Sequence, residues 1–136
     1  MNQDKLRRIL TDRNLAQLGD SVLNFALSAA LTRATGNPMG RRVKNSLLTP
    51  LIDSSPLKML LPLRTSRRDR ANAFEALAGY LWLKEVVQTD ELIEAMVSPF
   101  DPLAGDSEPE RLSLQAVFKL LVDRIESPQS EVTAKT

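Results

Sequence analysis

Apolar residues recur at spacings of three and four along most of the chain, and no stretch of four to eight residues alternates with β-branched and aromatic enrichment. The pattern predicts helices without strands. A short first helix covers about 3–11. A second runs from Leu15 to Thr35, with Leu15, Leu18, Val22, Phe25, Ala26 and Ala29 at helical spacing. Its small residues Ser21, Ser28, Ala29 and Ala30 let another helix approach closely. Gly36-Asn37-Pro38 stops it, because Gly accepts the left-handed conformation past a helix end and Pro cannot continue one. Val43, Leu47, Leu48, Leu51 and Ile52 are also helically spaced, but Pro50 lies among them. Proline lacks the amide donor and costs about 3 kcal/mol in a helix interior, so this segment is expected to restart at Pro50 or kink there. Ser55-Pro56 opens a short turn of helix through Leu61, and Pro62 closes it.

The strongest helix spans Ser66 to Val87, with a stripe of Phe74, Leu77, Ala78, Leu81 and Trp82. Ser66 and Asp69 resemble a capping box with Asp in the place of Glu. Thr89-Asp90-Glu91 caps a short helix to about Val97. A loop from Pro99 to Ser107 contains Pro102 and Gly105. Ser107-Glu108-Pro109-Glu110 then starts a last helix, with Ser as cap and acids against the helix dipole, reaching about Ile125. The expectation is a compact all-α domain of six or seven helices over residues 1–126, followed by a polar, disordered tail over 127–136.

Composition narrows the chemistry. Hydrophobic residues make up 43% of the 136 and charged residues 26%, which is globular composition. Cysteine and histidine are both absent. That excludes disulfide scaffolds, Cys/His zinc sites, thiol nucleophiles and every histidine-based triad. Any metal must be held by oxygen, which favours magnesium, manganese or calcium. Proton transfer falls to carboxylates, Lys, the single Tyr80 or water. No apolar run approaches the roughly 20 residues of a membrane span, and the charged start of the chain has no apolar signal core. A cytoplasmic protein without membrane contact is expected.

The net charge of +1 conceals an asymmetry. Residues 33–70 carry a net +7 and residues 71–136 a net −7. Either the two regions attract each other or the basic one faces a polyanion.

Two carboxylates stand out because they sit in apolar helical surroundings: Asp20 beside Leu18, Val22 and Leu23, and Glu75 beside Phe74 and Leu77. A buried charge needs a partner or a metal. Each acid is either a structural cap or ion-pair member, with Arg70 or Arg13 as partner, or the two share one seam and hold a divalent cation between packed helices.

The segments around these acids, Leu15-Ala16-Gln17-Leu18-Gly19-Asp20-Ser21 and Asn72-Ala73-Phe74-Glu75-Ala76-Leu77-Ala78-Gly79-Tyr80-Leu81-Trp82-Leu83, resemble the two signature motifs of the ribonuclease III family in the family's order. The likeness covers residues 13–87. The stretch from Gly36 to Ser46 is similar to the small archaeal branch of that family, and the acids missing from the motifs resemble the mini ribonuclease III group. The resemblance implies a stand-alone ribonuclease III-like endonuclease domain in which motif carboxylates bind Mg²⁺ (or Mn²⁺). Its activity would be hydrolysis of double-stranded or structured RNA during RNA processing, leaving a 5′-phosphate and a 3′-hydroxyl. Residue by residue, Asp20 and Glu75 match the family's catalytic acids and metal ligands. Ala16 and Asn72 stand where the family has a glutamate and an aspartate, and a further glutamate position is Arg13. Asn72 keeps a neutral ligating oxygen, while Asn24 and Asp69 lie one turn away as supporting or substitute ligands.

Two basic groups suit a duplex backbone, which is recognised through phosphates and 2′-hydroxyls: Arg41, Arg42 and Lys44, and then Arg64, Arg67, Arg68 and Arg70. A solvated basic surface is the alternative. No separate duplex-binding domain is expected after Val87. The resemblance also implies a homodimer joined through the Asp20 helix, and the aromatic residues Phe74, Tyr80 and Trp82 are expected in the core rather than stacked on bases. The alternative function is a catalytically inactive dimer that binds structured RNA or ribonucleoprotein as a scaffold, a reading suggested by Ala16 and Asn72.

Overall fold

The computed structural model describes residues 1–101, 103, 105 and 108–126. The expected Ser107 cap and the tail 127–136 lie outside them. Six α-helices form the domain, α1 (Gln3–Leu10), α2 (Arg13–Thr35), α3 (Asn45–Asp53), α4 (Arg67–Leu83), α5 (Thr89–Val97) and α6 (Pro109–Ile125). Short 3₁₀ turns at Pro56–Leu60 and Ser98–Phe100 complete the order, and the described residues contain no strand. This is the all-α architecture that the apolar spacing predicts.

The middle of the domain is the pair α2 and α4, which share the most extensive contact of any two elements. Helix α5 covers α2, α3 and α1 cover α4, and α6 lies on α5. Helix α4 is buried on nearly every side from Ala73 to Leu81, as expected of a central helix. Leu23 and Leu27 of α2, Leu48 and Ile52 of α3, Phe74 and Leu77 of α4, Leu92 of α5 and Leu121 of α6 are fully enclosed. The Phe74 ring stacks on Phe118 with centroids 5.4 Å apart. Burial of Phe74 and Tyr80 places both in the core, and half-buried Trp82 donates its indole N–H to Thr89 Oγ1 at 2.9 Å.

Local physics sets the ends of the helices. Asp12 accepts the Leu15 N–H at 3.0 Å and so starts α2 two residues before the first apolar position. Gly36 ends it at φ +75°, a conformation glycine adopts without steric cost. Ser66 caps α4 by accepting the Asp69 N–H at 3.1 Å. At α5 the cap is Gln88 rather than Thr89, and its own N–H donates to Glu91 Oε1 at 3.1 Å. The Glu91 carboxylate also pairs with Arg124 of α6, whose hydrogen bonds hold its pKa below the usual carboxylate value.

Two segments depart from the pattern-based expectation. Helix α3 runs unbroken through Pro50 instead of restarting there. Pro50 leaves the Ser46 carbonyl without its helical donor, but Ser46 is exposed and water can bond it. Helix α4 ends at Leu83 rather than Val87. Glu85 turns to φ +61°, and the N–H groups of Glu85 and Val86 reach back to Trp82 O (3.1 Å) and Leu81 O (2.9 Å). This is the Schellman closure, which commonly carries an apolar residue into the core just past the helix. Val86 and Val87 are those buried residues, so the apolar pattern outlasts the helix by one turn.

Candidate active site

Helices α2 and α4 cross closely enough that only glycine fits at the contact. A Cβ on Gly19 would lie 1.7 Å from the Glu75 carbonyl oxygen, and one on Gly79 would lie 2.4 Å from the Leu15 oxygen. Both obstacles are backbone, which cannot swing aside. Asp20 follows Gly19 and Glu75 is one turn before Gly79, so the crossing fixes the two carboxyl groups against each other. The sequence reading places both acids correctly on helices but does not single out Gly19 and Gly79 as the contact. Their small-residue spacing opposite each other is the signal that could have found them.

Asp20 and Glu75 share a side-chain hydrogen bond. Glu75 is only 5% exposed, whereas the Asp20 side chain is 38% exposed at the mouth of a cleft of about 900 Å³. Burial first, then the hydrogen bond to Asp20 and its negative charge, pushes the Glu75 pKa up to about 8. Arg68 and Arg42 oppose the rise without cancelling it. Thus Glu75 holds a proton at neutral pH and Asp20 accepts it as a hydrogen bond. A carboxyl pair of this kind can take a divalent cation when the proton is exchanged for the metal.

Neighbours hold Asp20 in place. Asn24 donates to Asp20 Oδ1 at 3.3 Å and accepts the Val43 N–H at 2.7 Å, tying the basic loop to the acid. Arg42 Nη2 lies 3.8 Å from Asp20 Oδ2 but is 85% exposed, so its guanidinium remains open to a ligand. Half-buried Asn72 and exposed Asp69 line the same cleft. Arg13 and Ala16 line it too. Neither proposed structural partner pairs with the acids: Arg70 binds Asp53 at 2.6 Å, and Arg13 makes no ion pair among the described residues.

The basic residues divide in the structure. Arg41 pairs with Glu110 of α6, and Arg70 is largely buried between Asp53 and the Thr65 carbonyl. The first pair joins the basic and acidic regions, while the second stays within the basic one. Arg67 and Arg68 line an adjoining cleft of about 700 Å³ that meets the carboxyl cleft at Arg68 and Asn45. Arg64 lines a third, of about 220 Å³, which meets it at Arg13 and Asn72. Lys44 is exposed beside the first of these junctions. Three clefts that share lining residues thus lie side by side, and the one holding the two acids adjoins both of the others.

An all-α domain crosses two helices on glycine and so sets an aspartate against a glutamate in a cleft lined by Arg13, Arg42 and Arg68. The ribonuclease III family model matches residues 13–128, and the chain belongs to that family of RNA-processing endoribonucleases. No curated protein is found to match it. Among the described residues no helix is long and apolar enough to cross a membrane.

The raised Glu75 pKa has a consequence for stability. An unfolded chain releases this proton near the model value of 4.5, whereas the folded domain keeps it to about 8. The folded state therefore holds the extra proton between those values, and its stabilising effect, complete below 4.5, is lost as pH rises towards 8. The slope approaches about 1.4 kcal/mol per pH unit. Urea midpoints of the metal-free protein are expected to fall from about pH 5 to about pH 8, and to fall less in Asp20→Asn. A flat or rising profile would show that Glu75 is ionised in the folded state.

Proposed function

We propose that this protein is a metal-dependent endoribonuclease that hydrolyses phosphodiester bonds of double-stranded or structured RNA. The observation that carries the reading is the convergence of Asp20 and Glu75 in one open, arginine-lined cleft. Among the described residues no group of three or more acids, His or Cys comes together. The donor set is therefore the Asp20 and Glu75 carboxylates, with the Asn72 amide oxygen and the exposed Asp69 carboxylate lining the same cleft. That set fits Mg²⁺ or Mn²⁺, which accept hard oxygen ligands, and Mg²⁺ in particular retains several waters. When bound, such an ion lowers the pKa of an attacking water and offsets phosphate charge.

The chain's own residues do the rest. Asp20 and Glu75 would hold the ion, with Glu75 releasing its proton to solvent, and Asn24 keeps Asp20 aimed into the cleft. Arg42 and Arg68 attract the RNA backbone to the carboxyl groups, while Lys44, Arg64 and Arg67 extend the contact along the adjoining clefts. Arg41 and Arg70, already paired, contribute through packing. A homodimer formed through α2 would place two such clefts on one duplex. Phe25 on that helix is 61% exposed and supports this arrangement.

A second reading, an RNA-binding scaffold without catalysis, is favoured by Ala16 and Asn72, which remove two charges from the cleft. The two separate in one experiment with purified protein, a labelled RNA duplex, and either Mn²⁺ or chelator. Cleavage in Mn²⁺, with binding but no cleavage in chelator, is the expected result. RNA that shifts on a gel equally in both and stays intact would favour the scaffold.

A further inference from the structure

The loop between α2 and α3 is clipped to α2 along its length. Thr35, Thr32, Ser28 and Asn24 follow one another along one edge of that helix, at steps of three and four that end at Asp20. Their side chains take up the backbone of every second loop residue. The Thr35 hydroxyl accepts the Asn37 N–H at 3.2 Å. The Thr32 hydroxyl accepts the Met39 N–H at 3.0 Å and donates to the Met39 carbonyl at 3.3 Å. Ser28 does the same for Arg41, at 2.8 and 3.1 Å. The last rung is Asn24, whose Oδ1 accepts the Val43 N–H at 2.7 Å while its amide donates to Asp20. A hydroxyl within a helix often bonds the carbonyl four residues back, as Ser21 and Thr35 do here. Ser28 and Thr32 donate to the loop instead.

Such a ladder has a register, and the register separates two adjacent arginines. Residues on the rungs turn their side chains to the domain: Val43 packs on the core and Arg41 pairs with Glu110 of α6. Arg42, between those rungs, is exposed and lines the carboxyl cleft, with Nη2 3.8 Å from Asp20 Oδ2. A slip of one residue would exchange the two arginines, because neighbours in an extended segment face opposite ways.

Resting on the reading of the carboxyl cleft as an RNA site, we propose that Ser28 and Thr32 are positioning residues for RNA binding. They hold the loop in the register that gives Arg42 to a backbone phosphate at the cleft and Arg41 to the fold. Neither of them lines the cleft. Arg42 touches the RNA, and the two hydroxyls act through it. A loop that had to be ordered on each encounter would weaken binding, whereas a clipped one presents its cation already in place.

The test measures binding of a labelled RNA duplex in chelator over a range of salt concentrations. Four proteins are compared: the parent, Ser28→Ala with Thr32→Val, Arg42→Gln, and all three changes together. Ala is a better helix former than Ser, and Val matches Thr, so α2 is retained. The hydroxyl pair is expected to weaken binding about fivefold, the cost of ordering a long side chain and its loop. Arg42→Gln should weaken it about tenfold and lower the salt slope by about one. Adding the hydroxyl changes to Arg42→Gln should then cost less than about twofold more, since both act through one guanidinium. A hydroxyl pair that binds within about twofold of the parent would overturn the positioning role and leave the RNA site standing, as would a fivefold loss that persists in full beside Arg42→Gln. Arg42→Gln binding like the parent would do the same. If the paired change does not fold, Ser28→Ala alone removes one rung and gives the same comparison. A parent that binds no duplex would overturn both the positioning role and the RNA site.

Discussion

Asp20→Asn is expected to reduce metal-dependent RNA cleavage by about a thousandfold or more, some 4 kcal/mol of barrier, without loosening the fold. Of the three carboxylates that line the cleft, Asp20 and Glu75 are the pair that interact, so losing Asp20 removes half of that pair. Even a partner that merely orients a metal ligand commonly costs about 10–100-fold when removed. The effect on stability is expected to be small. Asp20 helps to raise the Glu75 pKa through both its hydrogen bond and its charge. Asn at position 20 keeps an oxygen that can accept the Glu75 proton, so the metal-free variant should melt at about the same temperature as the parent near neutral pH. Glu75→Gln should behave alike, because an amide can still donate to Asp20 as the protonated acid does. Calorimetric melting beside a cleavage assay checks both. Full cleavage by either variant would remove the acid pair from the chemistry, and a marked fall in melting temperature would make the pair structural.

Gly19→Ala is expected to destabilise the domain by at least about 3 kcal/mol, a large share of a typical stability of about 5–15 kcal/mol. Helix propensity alone says the reverse, since Ala is preferred to Gly in a helix interior by about 1 kcal/mol. The contact decides the sign. The added methyl would sit 1.7 Å from the Glu75 carbonyl oxygen, so α2 and α4 must separate. Separation opens the core around Leu23 and Leu77 and also draws Asp20 away from Glu75. Gly40→Ala is the matched control, because a Cβ there meets nothing within 4 Å and the position needs no left-handed backbone. Thermal unfolding followed by circular dichroism distinguishes the two. Equal melting temperatures would mean that the helices cross with more room than this.

What the chain alone settles here is what depends on neighbours in sequence. Apolar spacing names the helices, and Gly36 stops α2. The absence of His and Cys leaves only oxygen donors, and Asp20 and Glu75 stand out as acids in apolar helical surroundings. Where only local pattern was read, the ends of elements drifted. The expected end of α4 at Val87 followed an apolar run that the structure divides into helix and closure at Glu85. The local cost of Pro50 predicts a restart or a kink there; the restart does not occur, because packing of Leu48 and Ile52 against α4 holds α3 as one helix across it. The basic residues also looked alike until their distant partners were in place. Asp53 and Glu110 claim Arg70 and Arg41, while Arg13, Arg42 and Arg68 are left around the cleft. Whether a charge is used inside the fold or offered to a ligand depends on what lies opposite it. Only the crossing of α2 and α4 puts the two acids together, because a contact between residues more than fifty positions apart is set by the packing of whole helices, not by either segment's own preferences.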